Sequence, residues 1–392
     1  MPPRPRVALI FTRAAEDDVG REKTMRAIRE ALASCGVVQP FRLHSVAETG
    51  KASDILHAFA VWLWSLVCLR PMALQCALFA TRSDCHALVG AIKAGGFDAV
   101  YIDMVRSQYF LRCLRRAMPE IRIIADLDDL ISRRMRFAAM LGLPVSLGFA
   151  GRFLTPWLRR LVEGMLPARL VYRYEEQGTA RAEFEMAMAS QATVLVSEVE
   201  RDLLAARLPQ AKRGEVHAII PPAPLRRDAS PRAEPVRFIF VGSDSYQPNR
   251  LAIDFLLALW RGTKPPAALH IFGRQKRAPF AVPGVVWHGF VHDVAEAYTA
   301  GSIALMPCFV PGGIKTKIVE AWSFGCPVLG NPEAFEGLTD LSYPLALPLA
   351  QWDAWLAAPE PSQAGAAAKA GQNEVMSRMS PDRFQQAWCA LI

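Results

Sequence analysis

No two cysteines in this 392-residue chain form a C-x-x-C pair. Its eight cysteines (Cys35, Cys68, Cys76, Cys85, Cys113, Cys308, Cys326 and Cys389) are scattered. That spacing argues against a zinc site and against a disulfide scaffold, and predicts buried or free thiols in a reducing compartment. The apolar stretch ILHAFAVWLWSLVCL (55–69) has fifteen residues, short of the roughly 20 needed to span a bilayer. The opening MPPRPRVALIFTRAAEDD has no signal-peptide pattern: VALIF is too short for an h-region and charge follows at once. The expected location is therefore cytoplasmic. No RNP, zinc-finger or helix-turn-helix signature is present, which argues against nucleic acid as a partner. No repeat of solenoid period appears.

What is present is a large apolar supply and an uneven charge. Apolar residues make up 52% of the chain, enough for a sizeable core, and the length suggests two domains. The net charge is +8. Up to Asp228 there are 32 Lys+Arg against 24 Asp+Glu; from Ala229 onward the count is 13 against 13. The whole excess thus belongs to the first part, which points to an anionic partner such as a membrane surface or a phosphorylated acceptor. A basic surface that serves solubility alone is the competing reading.

Strand-like apolar runs alternate with amphipathic segments along the chain. The runs are 6–11, 98–103, 121–126, 192–197 and 216–220, then 237–242, 268–273, 285–289, 303–307 and 327–330. Helical patterns fall at 21–34, 105–118, 198–207, 250–261, 293–300 and 315–324. Continuous apolar strands alternating with helices predict parallel sheets covered on both faces. The Pro- and charge-rich PPAPLRRDASPRAEP reads as a linker. The expected organisation is a Rossmann-like domain over 1–220, a linker over 221–235, a second Rossmann-like domain over 236–370, and a C-terminal helix within 371–392 that packs back on the first domain. APEPSQAGAAAKAG (358–371) reads as low-complexity sequence. Two doubly wound domains predict a ligand cleft at the carboxyl ends of their strands.

Two apolar stretches interrupt this order, 55–69 and 137–166. The second mixes Phe, Leu and Trp with Arg152, Arg159 and Arg160, a composition that suits a helix lying in a membrane interface. The alternative is a pair of core or lid helices. Trp62 and Trp64 fit either a core or a membrane anchor. The isolated His57 and His86 read as structural, and His288 and His292 show no partner in the sequence.

The strongest chemical signal is Gly312-Gly313 leading into a helix with Lys315, Lys317 and Glu320. Glycine lets backbone N–H groups approach a phosphate, and the helix N-terminus adds the positive end of a dipole. The lysines add full charges for a diphosphate, and Glu320, one turn on, suits the hydroxyls of a ribose. Alone, a Gly-Gly turn and a solvated lysine face would explain these residues as well.

The surrounding sequence decides between them. FVGSDSYQPNRLAIDFLLALW (240–260), HIFGRQ (270–275), HGFVHDVAEAYTAGSIALMPC (288–308) and GGIKTKIVEAWSFGCPVLG (312–330) together resemble the C-terminal domain of GT-B glycosyltransferases, specifically glycosyltransferase family 4. More weakly, RPMALQCALF (70–79), IRIIADLDDLISRR (121–134) and ATVLVSEVERDLL (192–204) resemble a bacterial subgroup that assembles surface polysaccharide. The resemblance implies two facing Rossmann-like domains. It implies Gly242 and Ser243 near a diphosphate, Arg274 close to the donor, and backbone at Phe290 and Val291 against the base. It implies that Gly313 and Ile314 offer amides to the phosphate with Lys317 beside it, and that Glu320 holds the ribose. Gly20 would open the acceptor-side helix. The implied activity is a metal-independent hexosyl transfer, with retention of configuration, from a nucleotide-diphosphate sugar to a lipid-linked saccharide. The nucleotide sugar is a co-substrate and no cofactor is implied. The implied location is the cytoplasm, peripheral on the inner face of the cell membrane.

Two departures from the family pattern stand out. Its first Glu of a Glu-x7-Glu motif is Gly312 here, and its His-Asp pair is Asp128-Asp129. Either aspartate could orient an acceptor or act as a base, or Asp126, Asp128 and Asp129 could cap the next helix. Asp103, at a strand end, is a further catalytic candidate. A nucleotide-sugar epimerase or hydrolase, and an inactive GT-B binding or scaffold subunit, remain the alternative readings.

Overall fold

A computed structural model of the chain describes residues 3–12, 20–145, 155, 157, 164–223, 237–277, 281–338 and 342–392. The chain divides into two compact units, Met1–Pro221 with Phe384–Ile392, and Pro222–Arg383. Of the linker stretch, 224–235 lies outside the described residues, as do 146–154, 156 and 158–163 of the second apolar stretch, with Arg152, Arg159 and Arg160.

Unit 1 is built on a six-stranded parallel sheet in the order β2-β1-β3-β4-β5-β6. Its strands are β1 (Arg6–Phe11), β2 (Val37–Arg42), β3 (Ala99–Asp103), β4 (Arg122–Asp128), β5 (Ala192–Leu195) and β6 (Val216–Ala218). Side chains alternate between the faces of a strand, and both faces are buried. Ala8, Ile10, Val100, Ile102, Ile123 and Ala125 enter one core. Val7, Leu9, Tyr101, Ile124 and Val194 enter another, with Ile28 and Leu32 of the first helix (Gly20–Cys35) and with Phe384, Trp388 and Leu391. β2 carries Pro40, which suppresses its strand signal. A proline is tolerated there because β2 is the edge of the sheet.

Unit 2 carries a five-stranded parallel sheet in the order β11-β10-β7-β8-β9. The strands are β7 (Arg237–Val241), β8 (Leu269–Phe272), β9 (Val285–Gly289), β10 (Ser302–Met306) and β11 (Val328–Gly330). Phe238 packs edge-on against Trp260 of the helix Gln247–Gly262, with ring centroids 5.6 Å apart.

Three expectations need correction. The thiols are not all free: Cys35, at the end of the first helix, and Cys389, at the end of the helix Pro381–Cys389, form a disulfide. They stand 354 residues apart, so only the return of the chain to unit 1 brings them together. The pattern at 293–300 yields just a 3-10 turn, Val294–Glu296, before the chain turns into β10. The low-complexity stretch at 358–371 lies largely in a helix, Pro361–Arg378. Alanine is the best helix former, and Gly371 lets this helix rest on Trp322: a Cβ there would lie 2.2 Å from the indole.

Among the described residues no helix is long and apolar enough to cross a membrane. The 55–69 stretch forms the helix Ala52–Val67. Its inner face is held by Asp54, which accepts hydrogen bonds from Ser83 N at 2.9 Å and Ser83 Oγ at 2.5 Å. Its outer face exposes Ile55, Leu56, Phe59, Leu63, Trp64 and Val67. Trp62 is half-buried and donates to Tyr174 Oη at 2.6 Å. His57 bonds Tyr109 Oη at 2.7 Å.

Candidate functional site

The carboxyl ends of β10, β7, β8 and β9, neighbours in the unit 2 sheet, collect the expected donor-side residues. Gly242 and Ser243 follow β7, Arg274 follows β8, and Phe290 and Val291 follow β9. Gly312, Gly313, Ile314 and Lys315 link β10 to the helix Thr316–Ser323, which carries Lys317 and Glu320. Parallel strands place all of these loops at one edge.

The two glycines of the turn have φ +122° and +59°, a region in which side chains are disfavoured and glycine is not. They deliver the chain to the helix N-terminus, where the N–H groups of the first turn have no partner within the helix. Lys315 folds back and donates to the Gly312 carbonyl at 2.5 Å. Lys317 is half-buried. Its Nζ donates to Asn249 Oδ1 at 2.5 Å and lies 5.0 Å from the centre of the Phe240 ring. Burial pulls the Lys317 ammonium down to about 7, opposed only in part by Glu320. Glu320 hydrogen-bonds Tyr298, and burial with that neighbouring carboxylate pushes the Tyr298 phenol well up.

The glycines after β7 and β8 allow close approach. A Cβ on Gly242 would sit 2.5 Å from Lys317 Nζ, and one on Gly273 (φ +122°) would sit 2.6 Å from the Gly242 carbonyl oxygen. Gln275 Nε2 donates to the carbonyls of Gly242 and Gly273, both at 3.0 Å. Buried Asp244 accepts the Lys276 and Arg277 amides at 2.7 and 2.9 Å. Burial works against its charge, but those amides outweigh it and hold the carboxyl below its ordinary range. Arg274 stacks over Phe290, its guanidinium carbon 4.4 Å from the ring centre. His288 does have partners: it stacks on Phe272 with centroids 4.2 Å apart, and its Nε2 lies 2.8 Å from His270 Nδ1. His292 sits edge-on to Phe290.

Sequence reasoning missed Asn249, Gln275 and Asp244. Asp244 and Gln275 lie in the loops just after β7 and β8 and Asn249 in the first turn of the helix Gln247–Gly262, places rich in polar residues of every kind.

The catalytic candidates lie in unit 1, at the carboxyl ends of β3 and β4. Asp103 is 1% exposed and ion-paired to Arg21 at 2.5 Å. Burial raises its pKa, against the pull of Arg21 and with the added repulsion of Asp126. Asp129 is 3% exposed and paired with Arg134. Neither is presented to solvent. Asp128 pairs with Arg21 at 2.9 Å and keeps a quarter of its side chain exposed. Gly20 opens the first helix, one residue before Arg21.

Residues 235–342 match the family model described as glycosyl transferases group 1. No curated protein sequence matches the chain. Among solved structures, the chain resembles the lipopolysaccharide outer core galactosyltransferase WaaB in its apo form, with 11% identity and TM-score 0.58 over 98% of each chain. It resembles Anabaena HepE in complex with UDP-glucose, with 11% identity and TM-score 0.59 over 98% of each chain. It also resembles an alpha,alpha-trehalose-phosphate synthase (UDP-forming) from Burkholderia vietnamiensis, with 10% identity and TM-score 0.57 over 98% of this chain and 99% of that one. At such identities the likeness shows the fold, while the family model covers the expected donor-side residues named above. The chain therefore has the GT-B fold, and its residues 235–342 are similar to the group 1 glycosyl transferases.

Proposed function

We propose that this protein transfers a hexose, with retention of configuration, from a nucleoside-diphosphate sugar to a lipid-linked saccharide in polysaccharide assembly. The observation that carries the reading is the Gly312-Gly313 turn at the head of the Thr316–Ser323 helix, with the Lys317 amine packed beneath Gly242. Helix-terminal amides and an amine suit a diphosphate, and they stabilise the charge that develops on it as it leaves. In the proposed step the bond from the anomeric carbon to the β-phosphate oxygen breaks and its electron pair stays on the phosphate. The acceptor oxygen bonds to the anomeric carbon on the same face, and its proton passes to the departing phosphate oxygen. Glu320 would take the ribose hydroxyls and Arg274–Phe290 the neighbourhood of the base.

Unit 1 would meet the acceptor at an anionic membrane surface. Leu56, Phe59, Leu63 and Val67 recur at helical spacing on the outer face of the Ala52–Val67 helix. Exposed Lys51 and Arg70 flank it, and the net positive charge lies in the same part of the chain. This pattern suits a helix lying in the interface plane.

Calorimetry with UDP, GDP and their sugars tests the donor reading: one of them binds, and Lys317→Ala and Glu320→Ala each weaken it at least about tenfold. If none binds, the transferase reading fails. Binding without turnover would favour an inactive binding subunit, and turnover without transfer an epimerase or hydrolase. Flotation with vesicles containing phosphatidylglycerol tests the membrane surface. Phe59→Ser with Trp64→Ser should release the protein from the vesicles; an unchanged bound fraction would exclude this face as the contact.

A further inference from the structure

Four side chains gather around the Arg21 guanidinium at the carboxyl ends of β3 and β4. Its Nη2 donates to Asp103 Oδ1 at 2.5 Å, Asp126 Oδ2 at 2.8 Å and Tyr101 Oη at 3.3 Å. Its Nη1 donates to Asp128 Oδ1 at 2.9 Å. Tyr101 Oη donates to Asp126 Oδ2 at 2.6 Å. Three carboxylates thus share one guanidinium. Asp103 and Asp126 are almost fully buried, and Asp128 is the carboxylate that reaches solvent.

We propose that Arg21 is a positioning residue for Asp128, fixing that carboxylate so that it accepts a hydrogen bond from the hydroxyl that receives the sugar. This inference rests on the transfer reading above. Asp128 has φ +65°, a left-handed conformation that aspartate adopts more readily than most side chains but that is still uncommon outside glycine. The register of β4 against β5 shifts between Asp126 and Asp128, a bulge at the carboxyl end of β4. Two contacts hold Asp128 there: its amide donates to Asp126 Oδ1 at 2.9 Å, and Arg21 takes its carboxylate. The planar fork of arginine can bridge Asp128 on one arm and the buried pair on the other, whereas a lysine offers a single point charge. At the same edge, the buried Thr12 Oγ1 and Arg21 Nε have no hydrogen-bond partner among the described residues. Thr12 directly follows β1, the neighbour of β3.

The test uses the full chain and the nucleotide sugar found to bind by calorimetry, with water as the accepting hydroxyl and release of nucleoside diphosphate as the readout. Arg21→Lys and Asp128→Asn should each lower kcat at least about thirtyfold, with donor KM within about threefold of the parent. Because they act through one contact, the double variant should be no worse than Asp128→Asn alone within about twofold. A purely structural Arg21 predicts losses that multiply in the double variant. That result, or Arg21→Lys turning over within about threefold of the parent, overturns the proposal. Both variants guard against simple unfolding: Arg21→Lys keeps the charge, and Asp128→Asn keeps Arg21 paired with Asp103 and Asp126. A parent protein that neither binds nor cleaves any nucleotide sugar sinks the transfer reading, and this inference with it. Normal donor binding with unaffected variant turnover sinks this inference alone.

Discussion

Lys317 Nζ donates to Asn249 Oδ1, and Asn249 Nδ2 donates to the Ser243 carbonyl at 2.8 Å. One asparagine therefore ties the amine of one helix to the loop after β7. Burial holds that amine near 7, so close to neutrality it is only partly charged. A diphosphate placed beside it favours the charged form. Binding should then take up a proton at pH 7.5, and affinity should fall as pH rises above 7. Below about pH 6 the amine is already charged and the uptake vanishes. Calorimetry with whichever nucleoside diphosphate binds, in two buffers of different ionisation enthalpy, reads this directly. Lys317→Met should abolish the buffer dependence; if it persists unchanged, the proton goes elsewhere.

Gly242 leaves no room for a side chain above that amine. Gly242→Ala puts a methyl group 2.5 Å from Lys317 Nζ and 3.0 Å from Asn249 Nδ2. The lysine is the flexible partner and must move. Affinity for the nucleoside diphosphate that binds should drop at least about tenfold while the melting temperature changes little, since overpacking at a yielding side chain costs about 1 kcal/mol. Unaltered affinity would show that Lys317 contributes nothing to binding.

The Cys35–Cys389 bond closes a span of 354 residues. Cross-links of native proteins contribute about 2–5 kcal/mol. Cys389→Ser, or treatment with a phosphine reductant, should lower the melting temperature by several degrees. Thiol titration of the denatured, unreduced protein should find six reactive cysteines, matching the free set; eight would mean the bond is absent.

Glu183 is fully buried beneath Ser132, whose amide and Oγ donate to it at 2.9 and 2.6 Å. Burial outweighs these bonds and the Arg207 charge, and raises its pKa to about 7. A carboxyl raised above its unfolded value of about 4.3 contributes stability that is complete below that pH and lost as pH climbs through 7. Urea unfolding should therefore show stability falling between pH 5 and 7.5. Glu183→Gln should flatten that slope, and a slope unchanged in the variant would assign it to other groups.

Much of this architecture was legible because it rests on alternation. Apolar runs such as RVALIF and VVWHG matched β1 and β9 residue for residue. β2 was not, since VVQPFR is interrupted by a proline that only an edge position tolerates. The helix Pro361–Arg378 was hidden by an alanine-rich composition with a weak apolar stripe, although Ala367, Gly371 and Val375 mark its buried side at a spacing of four. At the expected donor side, residues consecutive in sequence, such as Gly312 to Glu320, share one loop and one helix, so their proximity could be read. Asn249 acquires meaning only through Lys317, 68 residues away. Arg21 shows the same limit: nothing near position 21 announces three aspartates more than 80 residues downstream.

Unit 2 lies wholly between two stretches of unit 1, and this sets an order of assembly. Everything unit 2 needs has been synthesised once Arg383 has left the ribosome. Unit 1, although it begins first, lacks Phe384, Trp388 and Leu391 until later still, and these side chains cover Val7, Leu9 and Tyr101. The first half of the chain must therefore wait, with one apolar face of its sheet uncovered, while the second half completes itself. Domains usually fold as units in the order of synthesis; here the second domain is the one able to finish first.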